Sequence, residues 1–211
     1  MNRPIVLLDN GHGWDTPGKR SPDASKGLLD SPYYFREYKW TREIAQRGVS
    51  VLSFMNYDAR LLVPEENDIS LPERVARVNK VCNQYGAGNV ILISIHNNAS
   101  QREGWGTANG WECYTTRGIT KADKLASCLY DAAEATFKAP QTIRYEHKYD
   151  KLGRDREKDF YIIRHTYCPA VLIENFFQDN KSDVLYLNSD NGKGDCLDVI
   201  CSGIETYCST I

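Results

Sequence analysis

At 211 residues, with 41% hydrophobic and 26% charged residues and a formal net charge of -2, the chain has an ordinary globular composition. It is long enough to bury a layered core without disulfides or a structural metal. Both charge signs are scattered and no basic run stands out, which argues against a nucleic-acid or anionic-membrane binder. No stretch approaches the roughly 18 to 20 apolar residues of a membrane span.

Met1-Asn2-Arg3-Pro4 runs into the apolar segment 5–8, too short for a signal-peptide core of about 7 to 15 apolar residues and followed by no small-residue cleavage site. The chain therefore reads as leaderless, or as one whose leader has been removed, and 5–8 reads as a buried strand. Trp40, Ile44, Val51, Leu52 and Met55 recur at helical spacing in a segment that starts near Ser31-Pro32. A weaker strand is predicted at 59–63. Ser70 stands three residues before Glu73, the reciprocal capping-box arrangement, and Leu71, Val75, Val78, Cys82 and Tyr85 then form one apolar stripe. Segment 90–95 is a second continuous apolar strand, and 111–114 a further one. A helix follows Thr120, with Leu125, Leu129, Ala133 and Phe137 inward. Strands are predicted at 160–163 and 170–173, and a final helix from about Asp195 to Tyr207, burying Leu197, Ile200, Cys201 and Ile204.

Near-continuous apolar strands suit a sheet covered on both faces. Their alternation with helices predicts an α/β three-layer sandwich with a twisted, mostly parallel sheet. No repeat or linker interrupts the chain, so residues 1–211 read as one catalytic domain, taken as a monomer. The seven cysteines, Cys82, Cys113, Cys128, Cys168, Cys196, Cys201 and Cys208, are odd in number and form no CxxC pair. They read as buried apolar-like thiols suited to a reducing compartment, not as a disulfide framework or zinc knuckle.

In such folds the working residues collect beyond the carboxyl ends of the strands. The first strand empties into Asp9-Asn10-Gly11-His12-Gly13, where the glycines are expected to turn the backbone tightly and leave the imidazole accessible. The central strand ends in Ser94-Ile95-His96-Asn97-Asn98, and the late one in Ile173-Glu174-Asn175. A lone histidine or glutamate at a strand end is more often structural than functional. Here two of the chain's four histidines and a carboxylate reach one sheet edge from separate strands. Two imidazoles and a carboxylate are a ligand set for catalytic zinc that leaves a position open for water. Spacing does not select the carboxylate: Glu37, Glu43, Asp9 and Glu174 all remain candidates.

These segments resemble the zinc-dependent N-acetylmuramoyl-L-alanine amidases of the amidase-3 type. Asp9-Asn10-Gly11-His12-Gly13 is similar to the family's Asp-Pro-Gly-His-Gly turn, and Arg36-Glu37-Tyr38 through Ile44-Ala45 to the helix whose leading Glu binds metal. Ser70-Leu71 through Glu73-Arg74 and Asn79 resembles its Leu-x-x-Arg helix, and Ser94-Ile95-His96-Asn97-Asn98-Ala99 its Ser-Ile-His-Ala-Asn-Ala signature. Pro169-Ala170-Val171-Leu172-Ile173-Glu174 with Phe177 and Asn180 is similar to its Pro-x-Val-Leu-Val-Glu-x-Gly-Phe-x-x-Asn ending. The resemblance spans nearly the whole chain in order. It implies one zinc ion held by His12, Glu37 and His96, Glu174 as the base that activates water, and peptidoglycan as substrate, cut at the lactyl amide between N-acetylmuramic acid and L-alanine.

Three positions depart from the pattern. Asn10 replaces a proline, Pro64 replaces the arginine that commonly precedes Asp68, and Phe176 stands where glycine is usual and is expected to reshape the substrate groove. Of the turn-rich segment 10–29 and the charged, aromatic segment 144–159, with Tyr145, His147, Tyr149, Arg154 and Arg156, one or both are expected to contact glycan or peptide carboxylates. His147 and His165 are read as non-ligands. The competing readings are a peptidoglycan-binding module without activity and a zinc hydrolase of another amide or ester. A chain of this kind would be a phage lysin held in the cytoplasm until release, or an exported autolysin; the seven thiols favour the lysin.

Overall fold

The computed structural model describes residues 3–101, 103–147 and 153–210. In chain order the elements are β1 (Ile5–Asn10), α1 (Pro22–Ser25), α2 (Glu37–Phe54), β2 (Ala59–Leu61), α3 (Leu71–Tyr85), β3 (Val90–Asn98), β4 (Glu112–Thr115), α4 (Lys121–Thr136), β5 (Arg156–Glu157), α5 (Tyr161–Arg164), β6 (Ala170–Phe177), α6 (Lys181–Asn188) and α7 (Asp190–Ser209). The strands form one sheet in the order β2-β1-β3-β6-β4-β5. β1 pairs parallel with β2 and β3, β3 with β6, and β4 with β5, while β4 runs antiparallel to β6.

Side chains alternate between faces along a strand, and here both faces are covered. Val6, Leu8, Ile91, Ile93, Val171 and Ile173 pack against α2, α4 and α7. Ile5, Leu7, Val90, Leu92, Ala170 and Leu172 point the other way, onto Val75, Val78 and Cys82 of α3 and Ile162 and Ile163 of α5. This two-sided burial explains the unbroken apolar runs in the sequence. Each fully buried Leu or Ile contributes roughly 1.5–3 kcal/mol. All seven cysteines are buried and none forms a disulfide. No helix among the described residues is long and apolar enough to cross a membrane.

The sequence-based elements shift in four places. α2 begins at Glu37, not near Ser31-Pro32, because Ser21 Oγ donates to Tyr33 O and accepts from Phe35 N and a bridge joins Arg20 to Arg36, tying residues 33–36 back to the preceding segment instead of into the helix. The run at 160–163 forms the helical turn α5, not a strand. Ile162 and Ile163 bury against α3, and so short an apolar run carries no period that separates strand from helix. At α3, Ser70 Oγ accepts from Glu73 N, but the Glu73 carboxylate turns forward to Arg77 Nε at 3.0 Å. The reciprocal box forms instead at α4, between Thr120 and Asp123. α7 begins at Asp190, capped by Ser189, with Gly192 so close to Tyr186 that a Cβ there would lie 2.0 Å from its carbonyl oxygen. The polar start of α7 and the whole of α6, capped by Asn180, gave no apolar stripe to read.

Candidate metal centre

The strand face that packs on α3 changes character at the carboxyl ends. Ile5 and Leu7 are followed by Asp9, Val90 and Leu92 by Ser94 and His96, and Ala170 and Leu172 by Glu174. The same alternation that buries the core therefore delivers polar groups at the sheet edge. Asp9 is fully engaged there: Ser94 Oγ donates to its Oδ2 at 2.6 Å and Arg74 Nη1 to its Oδ1 at 2.6 Å. Arg74 also donates to the Asn10 carbonyl at 2.8 Å, fixing the turn that leads to His12. Glu43 pairs with Lys193 at 2.9 Å. Of the four candidate carboxylates, Glu37 is the one that meets both histidines.

His12, Glu37 and His96 each offer a ligand atom, all within 4.8 Å of one another. Glu37 Oε1 lies 3.1 Å from His96 Nδ1 and 3.4 Å from His12 Nε2. The imidazoles meet edge to face, with centroids 4.9 Å apart. The carboxylate is aimed from behind: Asn97 N donates to Oε1 at 3.0 Å and Gln178 Nε2 to Oε2 at 2.9 Å. The first residue of α2 is also where the helix dipole favours a negative charge. Burial pushes the Glu37 carboxyl up, but its contacts with His12 and His96 outweigh this and hold it well below the usual carboxylate range.

Neither flanking glycine adopts a left-handed conformation; His12 itself does, with φ of 65°. The glycines serve close approach instead. A Cβ on Gly11 would lie 2.3 Å from His96 Cε1, and one on Gly13 would lie 2.0 Å from Asp68 N. A cleft of about 230 Å³ opens over His12, His96, Thr16, Asp68 and Arg74.

The residues fit a divalent metal. His12 Nε2 is buried and makes no well-formed hydrogen bond among the described residues. Burial lowers the pKa of this imidazole, partly opposed by the Glu37 carboxylate, so it stays in the neutral form that ligates. Two imidazoles and one carboxylate are a donor set suited to zinc.

Glu174 is the register partner of His96 on the next strand. Its Oε2 is buried without a hydrogen-bond partner among the described residues. Burial, with the Glu37 charge adding to it, pushes the Glu174 carboxyl well above the usual carboxylate range, while Lys19 and Lys158 pull it back. A shift in this direction favours the protonated, neutral form of this carboxyl over the charged one.

Phe176 does not reshape the groove. Its backbone takes the left-handed φ of 60° that a glycine adopts without cost, and its ring is fully buried between Phe137 and Tyr186, each 5.1 Å away. Gln178 and Asn97, which aim Glu37, carried no sequence signal. Segment 10–29 contributes Gly18, Arg20 and Lys26 to a second cleft of about 340 Å³, shared with Gln101, Gln178 and Asp179. In segment 144–159, Arg154 is buried against Asp131 and Glu134, whereas Arg144 and Arg156 converge on Glu112; Tyr149 lies outside the described residues. His147 and His165 are exposed and lie outside the three-ligand group.

Comparison with known proteins agrees with this arrangement. The Amidase_3 family, described as N-acetylmuramoyl-L-alanine amidase, matches residues 6–206. The chain is 25% identical over 241 residues to N-acetylmuramoyl-L-alanine amidase AmiC of Neisseria meningitidis serogroup B, covering 99% of this chain and 53% of that protein. It is 26% identical over 206 residues to the endolysin of Bacillus phage SPP1, covering 95% of this chain and 64% of that protein. The chain thus spans between half and two thirds of the length of these relatives. Its fold matches the crystal structure of N-acetylmuramoyl-L-alanine amidase from Clostridium difficile 630 with a TM-score of 0.74 at 22% identity, covering 100% of this chain and 99% of that one. With the family pattern running through 6–206 and the two histidines and Glu37 meeting at the sheet edge, this chain belongs to the amidase-3 family of N-acetylmuramoyl-L-alanine amidases.

Proposed function

We propose that residues 1–211 form a single, monomeric catalytic domain that hydrolyses the amide between N-acetylmuramic acid and L-alanine in peptidoglycan, with one zinc ion held by His12, Glu37 and His96. The observation that carries this reading is the meeting of those three side chains within 4.8 Å, with Glu174, whose Oε2 has no hydrogen-bond partner among the described residues, on the neighbouring strand.

A bound zinc ion supplies Lewis acidity, polarising the amide carbonyl and making water easier to deprotonate. Glu174 accepts the proton of the attacking water as its oxygen bonds to the carbonyl carbon, then hands that proton to the alanine nitrogen as the carbon–nitrogen bond breaks. Asn97 and Gln178 hold Glu37 so that its position does not depend on the substrate. A wall-binding module without activity has no use for a carboxyl with a buried oxygen that finds no partner among the described residues, which costs stability wherever it does no chemistry.

The test is release of new amino groups from purified peptidoglycan with and without a zinc chelator. New alanine amino termini without new reducing sugar ends, abolished by chelation and restored by zinc, are the expected result. Wall binding with no release under any metal would overturn the reading in favour of the binding module.

A further inference from the structure

Across β3, β6 and β4, His96 pairs with Glu174 and Glu174 with Glu112, so three side chains stand in one row on one face of the sheet. Directly opposed residues on an antiparallel pair have Cβ atoms about 4.5–5.5 Å apart. The row therefore reads metal ligand, base, and then a second carboxylate that the chemistry above does not use. Glu112 is 1% exposed, and four side chains donate to it. Asn98 Nδ2 and Tyr114 OH donate to Oε1, the latter at 2.8 Å; Arg144 Nε donates to Oε2 at 2.8 Å and Arg156 Nη1 at 2.9 Å.

One guanidinium would neutralise Glu112; the second adds a positive charge beyond what the buried carboxylate needs. Both arginines remain about a third exposed, at 37% and 31%, so Glu112 ties two forks side by side at the surface next to Glu174. The rings of Phe177 and Tyr114 lie beneath them, 5.2 and 5.9 Å from the guanidinium carbons of Arg144 and Arg156, which stiffens the pair further. Glu146, 48% exposed, stands 3.5 Å from Arg156 Nε, so a carboxylate already rests on this face. An exposed contact of that kind is worth little and exchanges readily for an incoming carboxylate.

We propose that Arg144 and Arg156, held by the positioning residue Glu112, form a subsite for a free carboxylate of the stem peptide on the leaving side of the scissile amide. This rests on the amidase reading. The side follows from the row: Glu174 delivers its proton to the leaving nitrogen, and the arginines lie beyond Glu174 from the metal ligands. The residue follows from distance. Neighbouring strands are spaced about 4.8 Å apart, and an extended peptide advances about 3.3–3.6 Å per residue. The carboxylate is therefore the one on the residue that follows the alanine. Paired forks bind a carboxylate with two parallel charge-assisted hydrogen bonds, which a primary amide cannot match.

The experiment uses the zinc-loaded full chain and two synthetic muramoyl tripeptides that differ only in whether the second residue carries a free α-carboxylate or a primary amide. The expected result is a KM roughly 10-fold or more lower for the carboxylate substrate, the ratio that one charge-assisted hydrogen-bond pair supports. Arg144→Gln and Arg156→Gln each raise KM for the carboxylate substrate and bring the ratio toward one, while Arg144→Lys and Arg156→Lys keep part of the preference. Hydrolysis of both substrates by the unaltered chain without discrimination would overturn the subsite alone. Hydrolysis of neither would overturn the amidase reading and the subsite together.

Discussion

Glu174 and Phe176 stand two positions apart on β6 and have opposite fates. Glu174 keeps the strand alternation and ends beside His96, with an oxygen that has no hydrogen-bond partner among the described residues. Replacing it with glutamine keeps the shape and removes the proton acceptor. Glu174→Gln is expected to retain one zinc per chain while amide hydrolysis falls roughly 10²- to 10⁴-fold, and its thermal midpoint does not fall, since a negative charge is removed from a desolvated position next to Glu37. Metal analysis, turnover and thermal unfolding of the same preparation check all three. At Phe176 the left-handed backbone breaks the alternation and turns the ring into the core. A bulky residue there carries strain of order 1–3 kcal/mol, but the buried ring is worth about 3–5 kcal/mol against truncation. Phe176→Gly is therefore expected to be net destabilising by about 2 kcal/mol in urea unfolding, with the KM of the remaining folded enzyme unchanged. A large KM change at unchanged stability would instead place Phe176 in the groove. The sequence exposed His12, His96 and Glu174 because each ends an apolar strand. It misdirected the reading of Phe176 because proximity along a chain does not reveal a positive φ.

At the scale of elements, the site depends on how closely three backbones approach. The turn after β1 passes so near β3 that Gly11 has no room for a Cβ against the His96 ring. Gly11→Ala is expected to displace that imidazole, weakening zinc affinity about 10- to 100-fold, the usual cost of disturbing a ligand's support. Chelator competition measures this directly; an affinity within two-fold of the unaltered chain would show that the turn yields without moving His96. Glu37 could not be selected from spacing, because a ligand at a helix N-terminus is brought to the sheet edge by the preceding loop. Only the family pattern distinguishes it from Glu43, six residues further along the same helix. The strands were legible because burial on both faces makes them continuously apolar. The 160–163 segment was not, because four apolar residues fit a helical turn as well as a strand.

For the whole molecule, the three proposed ligands come from parts of the fold that share no local structure: the turn after β1, the start of α2 and the end of β3. The layered architecture and mostly parallel sheet were readable from alternation alone, whereas the antiparallel placement of β4 beside β6 was not, since its pairing depends on connections that carry no apolar pattern. The convergence of the ligands has a thermodynamic consequence. A metal that binds the folded chain and not the unfolded one stabilises it by RT ln(1 + [L]/Kd), about 4 kcal/mol when free zinc is a thousand times Kd. In a chain of this length, each kcal/mol moves the midpoint by about 2–4 °C. Zinc is therefore expected to raise the thermal midpoint of the chelator-treated protein by roughly 8–16 °C under those conditions. The shift should fade as pH drops, because the imidazoles must be neutral to ligate. Differential scanning calorimetry across a zinc titration measures it, with His12→Ala and His96→Ala as partners that lose most of the shift and Glu174→Gln as one that keeps it. An equal shift in all four proteins would place the stabilising zinc elsewhere on the chain and separate it from the His12, Glu37 and His96 cluster.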